Sequence, residues 1–297
     1  LGCMLGLLVL SPANAQVDLG PFVKEESFRD IKLSPDGDYY AATVPLEDKT
    51  GLVVMRRSDH AVTARFALVK NTHIEGFWWV NPSRVLISIS QKSGLLDTPR
   101  LTGELFAVDA DGKNAEMLVG YRVQSQGAGT RIQPKKVEDV AAFLVDPLEN
   151  DDRNVIIEVS PFGEDTYSRA EKMDVYSGRR TLHAKAPVRR ASFVTDNNGV
   201  VRFASGAGSD NVRKLYYRDG EGAEWALIND QSVSGIVENA IGFSADNSIA
   251  YLVAEQPKGP DKVVAFDPKT GKREVVLLDD GVDPVGVVYE DGIVGLD

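Results

Sequence analysis

Cysteine and histidine are nearly absent from this sequence. Of 297 residues one is Cys and three are His. Cys3 lies in an N-terminal segment that we expect to be removed, so the mature chain would hold no disulfide framework, thiolate metal site or thiol nucleophile. His60, His73 and His183 have no partner at metal-ligand spacing, and we interpret them as surface or strand-end residues.

An excess of positive charge is also missing. The chain has 33 basic and 44 acidic residues, a formal charge of -11. Nucleic acid is therefore not an expected partner, because binding it requires a Lys/Arg surface that neutralises phosphates. Three basic pairs are predicted to be solvated: Arg56-Arg57, Arg179-Arg180 and Arg189-Arg190.

Motifs that carry chemistry are lacking as well. The Gly-x-Ser-x-Gly motif of α/β-hydrolases does not occur, since Ser205 and Ser209 have glycine neighbours at the wrong spacing. The run from Gly206 to Ser209 could cradle a phosphate only with a helix behind it, and none is indicated. We therefore predict no catalytic residue and no cofactor site in this chain.

Two acidic turns were weighed as cation sites. Asp109-Ala110-Asp111-Gly112 resembles the start of a calcium loop, but the remaining ligands do not follow, so a plain hairpin turn is predicted. Glu149-Asn150-Asp151-Asp152 offers a weak cation site as one interpretation and a solvated loop as the default. No metal site is predicted.

The N-terminus resembles an export signal. Met4 to Leu10 is an apolar run too short to span a membrane, and Ala13-Asn14-Ala15 fits the pattern before a cut between Ala15 and Gln16. Residues 1–15 are therefore predicted to be a signal peptide, and the protein to be periplasmic or secreted. The chain begins at Leu1 without an initiator Met, so we expect the start to be truncated. Lipidation at Cys3 is not favoured, because the apolar run follows the Cys.

What the sequence does contain is a repeated hairpin. After a lead-in over residues 16–27, Phe28 to Val44 shows Ile31 and Leu33 alternating with polar neighbours, a turn at Ser34-Pro35-Asp36-Gly37, and a second strand from Tyr39. The pattern returns four times, with turns at 81–83, 146–154, 195–199 and 244–247.

A second hairpin type alternates with the first. Each copy has a strand, a turn that begins with Asp and contains Gly, and a returning strand. The turns lie at Asp109–Lys113, Asp174–Arg179 and Asp267–Lys272, with a weaker one at Arg218–Gly220. Four short strands repeating about every 45 to 50 residues are the signature of an all-β β-propeller.

The repeat count suggests an unfinished ring over residues 28–297. About six blades are visible, and Pro284 to Val294 looks like the opening of the sixth. A propeller closes to hide its sheet edges, so we expect the chain to stop before the last blade of a seven-bladed protein. One longer interval is assigned to Tyr121–Lys136, a loop without a strand pattern. Trp78 and Trp79 must point to opposite faces of a strand and are predicted to be core residues.

These features together resemble a known family. The exported start, the lead-in from Val17 to Phe22, the first blade with Ile-Lys-Leu-Ser-Pro-Asp-Gly, and the Asp-x-x-Thr-Gly-Lys second hairpins resemble the N-terminal propeller of bacterial prolyl oligopeptidase family (S9) serine peptidases of the acylaminoacyl- and dipeptidyl-peptidase type. The resemblance covers nearly all of the mature chain. Ser-Pro-Asp-Gly turns also occur in TolB-like periplasmic propellers.

The resemblance implies a function that lies partly outside the chain. In that family a C-terminal α/β-hydrolase domain carries a Ser-Asp-His triad, and the propeller restricts access to short peptides. None of the triad residues has a match here, so this chain alone is expected to be inactive. The alternative is a non-enzymatic TolB-like propeller that binds a protein or envelope partner. A site in the propeller itself would need His or carboxylate clusters at matching blade positions, and none is found. A homo-oligomer remains an open partner.

Overall fold

The fold is built from short antiparallel strands arranged as successive sheets. The computed structural model describes residues 28–94, 98–122, 133–134, 137–163, 166–284, 287–290 and 293–296, with backbone alone for 133–134 and after 284. Four sheets have four strands, one has five, and a two-stranded hairpin follows. The predicted β-propeller is confirmed, and we number the five large sheets as blades 1 to 5.

Each blade takes its strands in chain order. Blade 1 contains β1 Ile31–Leu33, β2 Tyr39–Leu46, β3 Lys49–Arg56 and β4 Val62–Phe66. Blade 2 contains β5 Thr72–Asn81, β6 Arg84–Gln91, β7 Arg100–Asp109, β8 Glu116–Val119 and β9 Gln133–Pro134. Blade 3 contains β10 Val140–Asp146, β11 Asn154–Pro161, β12 Arg169–Asp174 and β13 Arg180–Lys185.

The last two blades repeat the arrangement. Blade 4 contains β14 Ser192–Thr195, β15 Val201–Ala207, β16 Arg213–Tyr217 and β17 Ala226–Asp230, and blade 5 contains β18 Val237–Phe243, β19 Ala250–Glu255, β20 Lys262–Phe266 and β21 Arg273–Leu278. A single turn of helix, α1 Gln231–Ser234, joins them, and β22 Val287–Glu290 pairs with β23 Ile293–Leu296. The first strands of blades 3, 4 and 5 approach one another, so they lie innermost.

The first hairpin shows why the repeated turn folds. Gly37 donates its N–H to the Ser34 carbonyl at 2.8 Å and has φ 77°, a conformation that costs glycine little. Asp36 Oδ1 accepts the Ser34 hydroxyl at 2.6 Å and the Asp38 N–H at 3.1 Å. The Asp therefore satisfies the turn's donors and acts as structural punctuation.

The second hairpins are also confirmed, including the weaker one before Gly220. The Asp109 turn is a plain hairpin: Gly112 has φ 82° and donates to the Asp109 carbonyl at 2.8 Å. Blade 1 has a second hairpin that the sequence did not signal, between β3 and β4. There His60 takes the left-handed conformation, with φ 57°, in place of a glycine.

The core lies between blades, because each blade is apolar on both faces. Buried residues of blades 1 and 2 form one cluster, and further clusters join blades 2 and 3, 3 and 4, and 4 and 5. Trp79 packs on the first cluster and Trp78 on the second, so the two indoles occupy opposite faces of β5 as predicted. The Trp79 indole N–H also donates to the Lys32 carbonyl in blade 1 at 3.1 Å.

Two regions complete the comparison with the sequence. The segment Tyr121–Lys136 was predicted to lack strands, but Gln133–Pro134 pairs with β8 in parallel, so that prediction was wrong in part. The hairpin predicted within Pro284–Val294 is present as β22 and β23. Cys3, the signal cleavage site at Ala15 and Gln16, and the lead-in lie outside the described residues. Within the described residues, no helix has the length and apolar character needed to cross a membrane.

Candidate functional site

A cleft of about 950 Å³ opens where the first strands of blades 3, 4 and 5 end. Its rim is formed by the three turns that connect the first and second strands of these blades. Its floor is apolar and includes Phe193 and Phe243, and Phe243 packs against Phe203 of blade 4 with ring centroids 5.4 Å apart. Polar groups line the mouth, so the cleft combines an apolar base with a hydrogen-bonding rim.

Side-chain hydrogen bonds hold the three turns together across the blades. The Thr195 hydroxyl of blade 4 donates to Asp146 Oδ2 of blade 3 at 2.5 Å. On the other side, the Asn197 side-chain amide donates to the Ser244 carbonyl of blade 5 at 2.8 Å, and its backbone N–H donates to Asn247 Oδ1 at 3.0 Å. The rim is therefore fixed by groups that belong to different blades.

Asp151 on the blade 3 rim is held ionised. Burial alone would raise the pKa of Asp151, but hydrogen bonds from Lys172 and Asn154 and from backbone N–H groups lower the pKa to about 2. Lys172 Nζ lies 2.8 Å from Asp151 Oδ2. The acidic run around Asp151 is thus more than a solvated loop, because one of its carboxylates forms an ion pair with a neighbouring strand.

Asp196 on the blade 4 rim belongs to a buried network. Its Oδ2 accepts from Arg202 Nη1 at 2.8 Å, and its Oδ1 accepts the backbone N–H groups of Asn198 at 3.0 Å and Val200 at 3.1 Å. The Arg202 guanidinium also lies 5.4 Å from the centre of the Phe243 ring. This carboxylate therefore shapes the turn and is already neutralised.

A further carboxyl group is buried among hydroxyls in blade 3. Burial raises the pKa of Glu158 despite hydrogen bonds from Ser160, Ser192 and Ser168. The Ser160 hydroxyl lies 2.8 Å from Glu158 Oε1 and 2.8 Å from the Ser168 hydroxyl. In the described residues no hydrogen bond joins a histidine to these serines, so the cluster lacks the base that activates a serine nucleophile.

The three histidines are not brought together. His60 lies in blade 1, where Nδ1 is 2.9 Å from the Tyr40 hydroxyl, and His73 begins β5, where Nδ1 is 3.1 Å from the Thr50 hydroxyl. His183 on β13 has Nδ1 3.8 Å from Glu221. Burial, and next the nearby Lys92 and Arg29, lower the pKa of His73. His73 and His183 are partly buried between elements, so the surface interpretation was wrong for these two.

One of the predicted solvated arginines is also buried. The Arg180 side chain is 15% exposed and forms ion pairs with Glu138 and Glu171. Its neighbour Arg179 is exposed, as predicted. Position in the turn gave no sign of the difference, which arises because the second residue of the pair starts β13 and turns inward.

Sequence reasoning missed two fully buried charges in blade 2. Arg84 donates through Nε to the Val175 carbonyl of blade 3 at 2.9 Å and through Nη1 to Asp109 at 2.6 Å. Glu104 accepts from Arg122 through two side-chain nitrogens. Alternating polarity does not reveal such residues, because each lies in a strand that reads as apolar or as a turn exit.

The cleft can bind but has no visible catalytic set. Among the described residues no group of three or more His, Cys, Asp or Glu side chains could hold a metal ion. The run from Gly206 to Ser209 follows a strand, and the described residues place no helix behind it. A carboxylate- and amide-rich rim over an aromatic floor suits recognition of a peptide or another polar chain.

One curated relative is similar over most of the chain. Dipeptidyl aminopeptidase BIII of Pseudoxanthomonas mexicana is 24% identical over 264 residues, which are 88% of this chain and 34% of that protein. The chain therefore spans about a third of the length of this relative. A scan against known protein families finds no matching family.

Solved structures share the fold at low identity. Porphyromonas gingivalis dipeptidyl peptidase 4 matches with a TM-score of 0.54 and 10% identity, over 91% of this chain and 41% of that chain. Oligogalacturonate lyase from Vibrio parahaemolyticus matches with a TM-score of 0.50 and 10% identity, over 87% of this chain and 66% of that chain. The shared fold thus occurs with different chemistries. With the sequence relative, these matches confirm the resemblance to the propeller portion of prolyl oligopeptidase family peptidases.

Proposed function

We propose that this chain is the N-terminal propeller portion of an exported prolyl oligopeptidase family serine peptidase that acts on short peptides. The observation that carries the proposal is the similarity of 264 residues to about a third of a dipeptidyl aminopeptidase, in a chain whose strands form propeller blades. In this proposal the catalytic triad belongs to residues outside these 297, and the propeller restricts which peptides reach it.

The expected behaviour of the chain follows from the residues it contains. The described part offers no serine paired with a histidine, and the sequence has no Gly-x-Ser-x-Gly. The chain alone should therefore not hydrolyse aminoacyl or dipeptidyl p-nitroanilides. Hydrolysis by the purified chain that a serine-directed fluorophosphonate abolishes would contradict this.

The restricting role needs a separate test on the product of the complete gene. Its kcat/KM should be high for peptides of a few residues and should fall steeply for peptides of about thirty residues with the same cleavage sequence. Equal rates for both lengths would contradict a restricting propeller while leaving the peptidase assignment intact.

A second candidate is favoured by the cleft itself. Its rim offers carboxylates and amides without a catalytic set, which is the chemistry of a binding propeller. In this alternative the chain resembles a TolB-like periplasmic protein and docks a protein or envelope partner. A stop codon directly after the codon for Asp297 in the gene would favour this alternative, and a following segment with Gly-x-Ser-x-Gly would favour the peptidase.

A further inference from the structure

The outer strand of blade 5 differs from the other outer strands. All six residues of β21 are exposed, and four consecutive apolar residues, Val275 to Leu278, are between 36% and 51% exposed. By contrast, the outer strands β4, β13 and β17 each bury at least one residue. An exposed apolar edge strand is a template for pairing with another chain.

The free side of β21 has no partner in the described residues. Its sheet ends at β21, and β22 and β23 pair only with each other. A bulge in the pairing with β20 leaves Val276 without a cross-strand partner inside the blade. Backbone groups of alternate residues on the outer side and the Val276 side chain are therefore available to a second strand.

The charges that flank this apolar centre have opposite signs at its two ends. Lys272 and Arg273 precede the apolar residues, and Asp279 and Asp280 follow them, in an exposed run from 271 to 280. A parallel partner with the same sequence would place like charges side by side. An antiparallel partner places the basic end of one strand beside the acidic end of the other, so the strand is complementary to itself.

Two-fold symmetry then selects one register. In an antiparallel pair the axis passes through a residue that faces its own copy. An axis at Val276 sets Lys272 opposite Asp280, whereas an axis at Leu277 sets Glu274 opposite Asp280 and an axis at Val275 leaves Lys272 opposite Leu278. Only the first arrangement matches charges, and Arg273 can stay paired with Glu238, to which it donates at 2.9 Å.

We propose that β21 is a homodimer contact in which two copies of the chain join their blade 5 sheets antiparallel, with the two-fold axis at Val276. The partner is a second copy because the charge pattern of residues 272–280 complements itself. The contact lies on the periphery of the propeller, away from the cleft, and is independent of whether the chain serves a peptidase.

Cysteine cross-linking tests the register directly. In a Cys3→Ser background, Val276→Cys should form a disulfide-linked dimer under mild oxidation, because the two residues face each other. Glu274→Cys is the matched control, since its own copy lies four residues away, about 14 Å along the strand. Absence of the linked dimer at 276, or equal linking at both positions, would overturn the proposed contact.

Sedimentation of unlinked protein tests the association. The native chain should show a concentration-dependent dimer, and Val276→Lys should weaken it at least tenfold. Lys272→Asp should weaken the dimer several-fold, and adding Asp280→Lys should restore it, which a general loss of stability could not do. A native chain that stays monomeric up to 100 μM, or a charge swap without rescue, would contradict the contact.

Discussion

Replacement of Arg84 by methionine should unfold the protein more readily than any surface charge removal. The Arg84 side chain is fully buried and donates to Asp109 at 2.6 Å, to the Val175 carbonyl at 2.9 Å and to the Asn114 carbonyl at 3.1 Å. Methionine fills a similar volume but leaves these acceptors unpaired. Removing one partner of a buried, hydrogen-bonded ion pair costs about 3–5 kcal/mol of unfolding free energy.

Urea unfolding followed by tryptophan fluorescence measures this loss. The midpoint should fall with little change in the urea dependence, since the surface exposed on unfolding is unchanged. Arg56→Met is the control, because Arg56 is 46% exposed in its pair with Asp59 and should give no measurable change. Adding Asp109→Asn to Arg84→Met should recover part of the loss, since it removes the carboxylate that lost its partner. A loss no larger than that of Arg56→Met would refute the reasoning.

Three further outcomes are expected. Gly103→Ala should lower the melting temperature more than Gly259→Ala, since both glycines have positive φ but a Cβ at Gly103 would lie 2.4 Å from the Ala141 Cβ and one at Gly259 would meet nothing within 4 Å; equal shifts would contradict the close packing of blades 2 and 3. Because burial lowers the pKa of His73 below its usual 6.5, the unfolded state binds more protons as pH falls, so stability should decrease below about pH 6.5. His73→Gln should flatten that dependence in urea titrations, and an unchanged slope would exclude the histidine. Removing the amine that faces Asp151, by Lys172→Met, should raise the carboxyl pKa from about 2 in an NMR titration, and an unmoved pKa would show that the ion pair does not form in solution.

The repeated hairpins were predictable because their turns are coded locally. Asp36-Gly37 and its later copies satisfy their own hydrogen bonds, so the punctuation is visible without knowledge of the fold. The second hairpin of blade 1 was not predictable, because His60 takes the positive φ that glycine usually supplies. Likewise, β9 is a pairing with a distant strand and leaves no local signal.

The cleft could not be read from the sequence. Its rim comes from three turns about 50 residues apart, and each turn looks like ordinary punctuation by itself. Only the ring arrangement brings Asp146 beside Thr195 and Asn197 beside Asn247. Buried charges such as Arg84 are hidden for the same reason, since their partners lie in other strands and blades.

Labelling of the complete gene product with a fluorophosphonate, followed by peptide mapping, tests the central proposal most directly. We expect one labelled serine, in a peptide beyond residue 297, and loss of peptide hydrolysis in step with labelling. A gene product that takes up no label and cleaves no short peptide, or a label on a serine within residues 28–284, would contradict the assignment of this chain as the propeller portion of a serine peptidase.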